Sequence, residues 1–249
     1  MIPPLMKHWI SAFQTTRPFT AVANLPRYVR QLREYRRMDG RTYVRLRDSY
    51  PCLLDAVART PFDPHYFHQG AWLARRLTAR SPATHVDVGS SVLTMGVLSG
   101  MVPTVFLDYR PIRVSLTGFY PVAGSITRLP FRNGALDSVS SLHVLEHIGL
   151  GRYGDPLDAD GSRRGALELE RVTQPGGYIY ISVPIGRERV CFNAHRVFAP
   201  GTVVNWFGAC DLVEFSFVDD AGEFQENRPV SDNPTLEYGC GLFIFEKRA

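Results

Sequence analysis

The sequence predicts an α/β domain with an open, mainly parallel sheet, preceded by a helical N-terminal extension. Short apolar runs alternate with helical segments after residue 80, a pattern typical of parallel strands joined by crossover helices. The 249 residues suffice for one such domain plus an extension. A hydrophobic content of 45% supplies one core, and the composition indicates neither disorder nor a disulfide scaffold.

The N-terminal extension is predicted to span residues 1–80 and to consist mostly of helix and loop. Its clearest helix is HYFHQGAWLARRLTAR (65–80), which follows a proline-rich turn and stops before Pro82. We expect the boundary with the α/β domain, residues 81–249, near Ser81–Pro82. The extension is expected to act as a lid over a pocket or as a docking surface.

An arginine-rich segment lies within this extension. Residues 27–47 carry eight arginines against Glu34 and Asp39. Such a stretch suits peripheral contact with an acidic membrane surface, a phosphate-bearing substrate or RNA. The preferred alternative is a solvated helix face whose arginines pair with acids elsewhere. The net charge of +4 over the whole chain is too weak to argue for nucleic-acid binding.

The predicted strands follow in order, and the intervening segments are predicted to be helical. The strongest predicted helix is GSRRGALELERV (161–172). Two later strands are joined by a long loop, which permits an antiparallel pair at one edge of the sheet. The predicted strands occupy residues 84–88, 104–108, 119–124, 135–143, 178–184, 211–218 and 241–247.

Several classes of protein are disfavoured. The four cysteines form no CxxC pair, so a zinc-finger spacing is excluded and a reducing compartment is favoured. No apolar run approaches the length of a membrane span, and prolines and charges interrupt the N-terminus too often for a signal peptide. We therefore expect a cytoplasmic protein.

A glycine turn after the first strand is the first candidate binding site. In HVDVGSS (85–91), the strand ends near Asp87, and Gly89 allows the backbone to pass close to a ligand. The small residues Ser90 and Ser91 keep this approach open. The segment has no GxGxxG fingerprint and the chain has no GK[ST] P-loop, which disfavours NAD, FAD and P-loop chemistry.

Asp108 is the second candidate, at the end of the next strand. A carboxylate about twenty residues after such a turn can accept both hydroxyl protons of a ribose. NAD and S-adenosylmethionine (SAM) both present that diol. The turn and Asp108 therefore predict an adenosine-type cofactor without choosing between these two.

The following residues resemble the class I SAM-dependent methyltransferases. The resemblance lies in LPF (129–131), Asp137, LEH (145–147) and LERVTQPGGYIYISVP (169–184), in the correct order, and it covers residues 81–247. It implies a Rossmann-like, mainly parallel seven-stranded sheet with an antiparallel C-terminal edge. The run HVLEHIGLGRYGDPLDADG also resembles an uncharacterised branch of this superfamily, whose members have no agreed substrate.

This resemblance implies a cofactor site. Asp87 and Gly89 would lie beside the amino-acid part of SAM, Asp108 would bind its ribose, and Ser125 and Ile126 would flank the adenine. Two positions depart from the family pattern, since Ser91 replaces a glycine and Ser125 replaces an aspartate. The full set of predicted cofactor residues is Asp87, Gly89, Ser90, Ser91, Asp108, Tyr109, Ser125, Ile126 and His143.

A histidine cluster follows the fourth strand. His143, Glu146 and His147 are spaced i, i+3, i+4, so a helix would place them on one face. With His195 they are predicted to bind a divalent metal, a set similar to that of small-RNA 3′-end and ubiquinone-pathway O-methyltransferases, except that His143 replaces a glutamate. Without a metal, His143 or His147 is the candidate general base. The alternative is that these residues only brace the helix.

We therefore expect SAM-dependent O-methylation of a small or glycan-like acceptor, with N-methylation as a weaker candidate. The serines at positions 91 and 125 support a second hypothesis, a non-catalytic methyltransferase-like subunit that assists a partner enzyme. A third is a membrane-associated or RNA-directed enzyme that uses residues 27–47.

Overall fold

The computed structural model describes residues 17–40, 42–110, 112–230 and 235–249. The chain divides into two compact units, Met1–Phe62 and Asp63–Ala249. The residues before Arg17, which bear on the expectation about a signal peptide, and Arg41 of the arginine-rich segment lie outside the described residues. Within the described ranges, no helix is both long and apolar enough to cross a membrane.

The first unit contains helix α1 (Pro18–Tyr35) and a short 3-10 helix at Leu46–Asp48. A proline at the start of α1 suits a position whose backbone N–H has no helical partner. Arg27 of the arginine-rich segment donates a hydrogen bond to the carbonyl of Leu53, and Arg30 forms an exposed pair with Glu34 at 3.8 Å. Part of this segment therefore pairs within its own unit.

Helix α2 (Pro64–Arg80) opens the second unit. Asp63 caps it, because its carboxylate accepts the backbone N–H groups of His65 and Tyr66. The helix buries Trp72 and Leu73 in a core shared with the sheet. The two units therefore divide about twenty residues before the predicted boundary at Ser81–Pro82, because the apolar face of α2 requires the sheet for burial.

Replacing Asp63 with alanine should destabilise the second unit by about 1 kcal/mol, because two N–H groups at the start of α2 lose their acceptor. Thermal unfolding of the full chain measures the loss. Asp63→Asn keeps a capping oxygen and should retain most of the stability. Equal losses in both variants would contradict a capping role.

The second unit contains an eight-stranded sheet, whose strands are β1 His85–Val88, β2 Thr104–Asp108, β3 Phe119–Ala123, β4 Leu136–Leu142, β5 Thr173–Ile185, β8 Cys210–Val218, β9 Phe224–Gln225 and β10 Gly239–Lys247. Their order across the sheet is β3-β2-β1-β4-β5-β10-β8-β9. The first five strands run parallel, as the alternation of strands and helices predicted.

The antiparallel end of the sheet is confirmed. Strand β10 pairs antiparallel with both β5 and β8, and it lies between them. The short strand β9 adds an eighth member to the predicted seven. Because β10 runs against β5, its first residues lie at the edge where the parallel strands end, with Cys240 opposite Pro184.

Helices cover both faces of the sheet and give three layers. One core contains side chains of α2 and of α3 (Val92–Leu98), and the other contains side chains of α4 (Gly161–Val172) and α5 (Pro200–Trp206). A small hairpin, β6 (Arg189–Cys191) with β7 (His195–Val197), follows β5. This arrangement brings the ends of β1, β2 and β4 to one edge.

Candidate functional site

A cavity that is open to solvent lies at the carboxyl edge of the parallel strands. This is the edge at which open α/β sheets bind ligands. Most of the predicted cofactor residues line it, namely Gly89, Ser90, Ser91, Asp108, Tyr109, Ile126 and His143. Ser125 lines an adjoining cavity that shares Tyr109 and Ile126 with the first, and Asp87 lines neither.

The turn after β1 owes its shape to Gly89. This residue has a φ of +74°, in the left-handed region that favours glycine. A Cβ atom added there would also approach a side-chain methyl carbon of Val144 to 3.1 Å. The backbone can therefore follow the floor of the cavity only without a side chain at this position.

Asp87 lies behind the turn and is fully buried. Its carboxylate accepts hydrogen bonds from the hydroxyl groups of Ser90 and Ser140 and from the backbone N–H of Ser90. Burial raises the pKa of Asp87 to about 6, although these hydrogen bonds lower it. Asp87 therefore holds the turn in shape and does not line the cavity itself. The resemblance implied a place for Asp87 beside the amino-acid part of SAM, and this stays a prediction.

A buried chain of hydrogen bonds continues from Asp87 to His85. The Ser140 hydroxyl gives its one proton to Asp87, so it accepts from Nε2 of His85 at 2.8 Å. Nδ1 of His85 then accepts from Ser138, also at 2.8 Å. Burial lowers the pKa of His85 to about 3, so this imidazole is neutral at physiological pH.

Asp108 ends β2 beside the turn, as predicted. Its side chain is partly exposed, and Oδ1 accepts the backbone N–H of Arg110 at 2.6 Å. The guanidinium of Arg110 stacks over the ring of Tyr153, 4.2 Å from its centroid. Both of these residues also line the cavity, and neither was predicted from the sequence. Asp108 thus presents a carboxylate to a pocket with a cation on its rim.

His143 follows β4 in a left-handed conformation with a φ of +54°, so the predicted helix does not begin there. Its backbone N–H donates to the carbonyl of Ser182. The ring is almost fully buried, with Nδ1 3.0 Å from Oε1 of Glu146 and Nε2 3.2 Å from Sγ of Cys240. Burial alone would lower the pKa of His143, but Cys240 and Glu146 outweigh it and raise that pKa well above its usual range.

Glu146 lies between both histidines of the predicted cluster. Residues 145–147 form a 3-10 helix, and Oε1 of Glu146 is 3.7 Å from Nε2 of His147. Oε2 is buried and makes no hydrogen bond to any residue that the structure describes. His147 donates from Nδ1 to the carbonyl of Ala194 at 2.7 Å. Burial lowers the pKa of His147, although Glu146 and Ala194 raise it.

The predicted metal set of His143, Glu146, His147 and His195 does not appear as one group of convergent ligand atoms. The ring of His195 instead lies against Tyr238, with centroids 5.1 Å apart. In the described part of the chain, one group of three candidate ligands has all its ligand atoms within 4.8 Å of one another, namely His65, His143 and Cys240. It shares only His143 with the predicted set.

Three residues at this site, His65, Tyr66 and Cys240, were not predicted from the sequence. Tyr66 lines the cavity and stacks on His143, with ring centroids 5.6 Å apart. One signal was available for Cys240, because an antiparallel last strand begins at the edge where parallel strands end. No comparable signal marked the first turn of α2.

Comparisons with known proteins agree with this fold. A family model described as a Caenorhabditis protein of unknown function, DUF268, matches residues 127–224. No curated protein sequence matches the chain. Among solved structures, the N-methyltransferase NodS from Bradyrhizobium japonicum, in complex with S-adenosylhomocysteine (SAH), is 16% identical with a TM-score of 0.51, over 88% of this chain and 98% of its own.

Two further structures are similar over most of their own length. The [4+2]-cyclase SpnF is 11% identical, with a TM-score of 0.51, over 72% of this chain and 81% of its own. A chain from the complex between the Haloferax volcanii Trm112 methyltransferase activator and a proposed methyltransferase is 14% identical, with a TM-score of 0.50, over 76% of this chain and 100% of its own. The chain therefore has the Rossmann-like fold of these methyltransferases, a fold that a cyclase also uses.

Proposed function

We propose that the protein is a SAM-dependent methyltransferase that acts on a hydroxyl group of a small or glycan-like acceptor. The observation that carries this proposal is the Asp108 carboxylate in the cavity at the ends of β1 and β2. A carboxylate in this place suits the paired hydroxyl groups of a ribose. The fold alone does not decide the chemistry, since related structures include a cyclase.

The cavity suits the rest of such a cofactor. The glycine turn at Gly89 gives the amino-acid part a close backbone approach, and Leu107 and Ile126 provide apolar walls. Ser125, in the adjoining cavity, offers a hydroxyl to an adenine ring. NodS, which has the same fold, was solved with SAH bound. We therefore assign the ribose to Asp108 and the adenine to the side of Ser125.

His147 is the best candidate for the general base. Its Nδ1 proton is donated to Ala194, so Nε2 carries the lone pair, and burial favours the neutral form. Such a group can take the proton of an acceptor hydroxyl. His143 is the weaker candidate, because its two ring nitrogens already contact Glu146 and Cys240. SAM would supply a methyl group on a sulfonium, so alignment and a deprotonated nucleophile are the main requirements.

Calorimetric titration with SAH tests the cofactor site. Asp108→Asn keeps the size of the side chain but loses one acceptor oxygen, so we expect SAH binding to weaken about 10- to 100-fold. Asp211→Asn is the matched control. Asp211 is an exposed carboxylate at the start of β8, paired with Arg248 at 2.9 Å and at the opposite edge of the sheet from the cavity. This control should bind SAH like the wild type.

Two results would contradict the proposal. Failure of the wild-type protein to bind SAH would favour the hypothesis of a non-catalytic subunit, and the next step would be to identify its partner. SAH binding that Asp108→Asn leaves unchanged would place the ligand elsewhere.

If SAH binds as expected, radiolabelled SAM with fractionated small-molecule extracts would identify the acceptor. His147→Gln should then lower the turnover of that acceptor without lowering SAH affinity.

A further inference from the structure

Three side chains from distant parts of the chain converge beside the cavity. His65 comes from the first turn of α2, His143 follows β4, and Cys240 is the second residue of β10. Their ligand atoms all lie within 4.8 Å of one another, and Nε2 of His143 is 3.2 Å from Sγ of Cys240. A tetrahedral zinc ion, with bonds of about 2.3 Å to sulfur and about 2.0 Å to nitrogen, holds such atoms about 3.5 Å apart. One pair is therefore already near that spacing.

A carboxylate orients one of these ligands from behind. Nδ1 of His143 is 3.0 Å from Oε1 of Glu146, so Nε2 is directed toward Cys240. Histidines that bind metals usually donate their other ring N–H to such a group, which fixes the tautomer and strengthens the ligand. The first turn of α2 is held as well, because Asp63 accepts the backbone N–H of His65. The cluster thus has the outer support that metal sites require.

The chemistry of the cluster selects the metal. One thiolate and two imidazoles suit zinc and exclude magnesium or calcium, which prefer oxygen ligands. Cys240 is fully buried, with an exposed fraction of 0%. A nucleophilic cysteine paired with His143 and Glu146 would have to reach a substrate, whereas a metal ligand needs no exposure. The burial of Cys240 therefore favours coordination over covalent catalysis.

We propose that His65, His143 and Cys240 form a zinc site with three protein ligands and one open coordination position. The open position would hold water or an oxygen of a bound molecule, as in catalytic zinc sites. Zinc coordination would displace the one proton that Cys240 and His143 share between Sγ and Nε2, and this proton would pass to solvent. This site shares only His143 with the set predicted from sequence, and it does not depend on methyl transfer.

Cobalt titration of the full chain, stripped of metal with a chelator and kept reduced, tests this site. We expect one Co²⁺ per chain, a thiolate-to-cobalt charge-transfer absorption in the near ultraviolet, and displacement by Zn²⁺. Cys240→Ser should abolish the charge-transfer absorption. His65→Gln should weaken binding by about 100-fold or more, beyond the usual effect of losing an outer-shell group.

Matched controls separate this site from the alternatives. Cys191→Ser removes another cysteine, and His195→Gln removes a histidine of the set predicted from sequence; neither should change cobalt binding. Loss of cobalt binding in His195→Gln with retention in Cys240→Ser would overturn the proposal, as would the absence of a charge-transfer band in the wild-type protein.

Circular dichroism establishes that each variant folds. If Cys240→Ser does not fold, cobalt binding by His65→Gln, a substitution at a half-buried position, tests the proposal instead. Because SAH is absent from the assay, its outcome is separate from that of the cofactor experiment.

Discussion

Replacing His85 with glutamine is expected to make the protein more resistant to acid than the wild type. His85 is fully buried, its pKa is lowered to about 3, and an unfolded histidine has a pKa near 6.5. The unfolded chain therefore binds a proton that the folded chain does not. The stability that neutral His85 contributes is fully present above pH 6.5 and is lost progressively as the pH falls from 6.5 to the folded pKa of about 3. The loss is about 3 kcal/mol between pH 6.5 and pH 4.

Asp87 acts in the opposite direction. Its folded pKa of about 6 lies above its ordinary value of 3.8, so its contribution is full below pH 3.8 and is lost as the pH rises through 6. Between pH 3.8 and pH 6, the effects of His85 and Asp87 on the free energy of unfolding therefore oppose each other in the wild type. In His85→Gln only Asp87 remains, so the stability of the variant relative to wild type should rise on acidification.

Urea unfolding at a series of pH values measures this difference. The curves of unfolding free energy against pH should run parallel near pH 8, because His85 is neutral in both states there. Below pH 6.5 they should converge or cross, with a difference in slope of about 1.4 kcal/mol per pH unit. Equal slopes from pH 6.5 to pH 4 would show that His85 titrates in the folded protein as it does in the unfolded chain.

The second large effect is expected for Gly149→Ala, in the loop that follows the histidine cluster. Gly149 has a φ of +80°, and a Cβ atom there would lie only 2.0 Å from the carbonyl oxygen of Asp158. That oxygen belongs to the backbone, so the loop must move. We expect a loss of at least about 3 kcal/mol, from left-handed strain plus the collision. SAH affinity should also fall, because Tyr153 and Asp155 of this loop line the cavity.

Gly154→Ala is the matched control for this substitution. Gly154 lies in the same loop with a φ of +83°, but no atom lies within 4 Å of an added Cβ. It should cost only about 1–2 kcal/mol, the strain of the left-handed conformation. The difference between the two variants, measured by denaturant unfolding, isolates the collision. Equal losses would mean that the contact between Gly149 and Asp158 is not part of the native fold.

Much of the second unit could be predicted from sequence because its signals are local. The strand TVFLD and the helix GSRRGALELERV were predicted at their observed bounds, since apolar runs and helical periodicity depend on neighbouring residues. Gly89 and Asp108 could be identified for the same reason, because Gly89 immediately follows strand β1 and Asp108 ends strand β2. The helix α3, only seven residues long, was too short for its period to be read.

The remaining features depend on contacts between distant residues. The boundary between the units could not be placed, because the burial of Trp72 is decided by the sheet and not by α2 alone. The role of Asp87 depends on Ser140, 53 residues away. Cys240 is 97 residues from His143, and their proximity follows from the order in which the last strands pair. No spacing along the chain encodes these contacts.

The position of β10 has a consequence for synthesis on the ribosome. Strand β5 ends at Ile185 and β10 begins at Gly239, yet β10 is the neighbour that covers the outer edge of β5. While the intervening residues are being translated, β5 and β8 present open backbone edges, which are prone to association with other chains. Pairing over such a sequence distance is intrinsically slow. Cys240 belongs to the strand that fills this gap. The nascent chain therefore covers the facing edges of β5 and β8 and gains its last candidate zinc ligand in the same folding event.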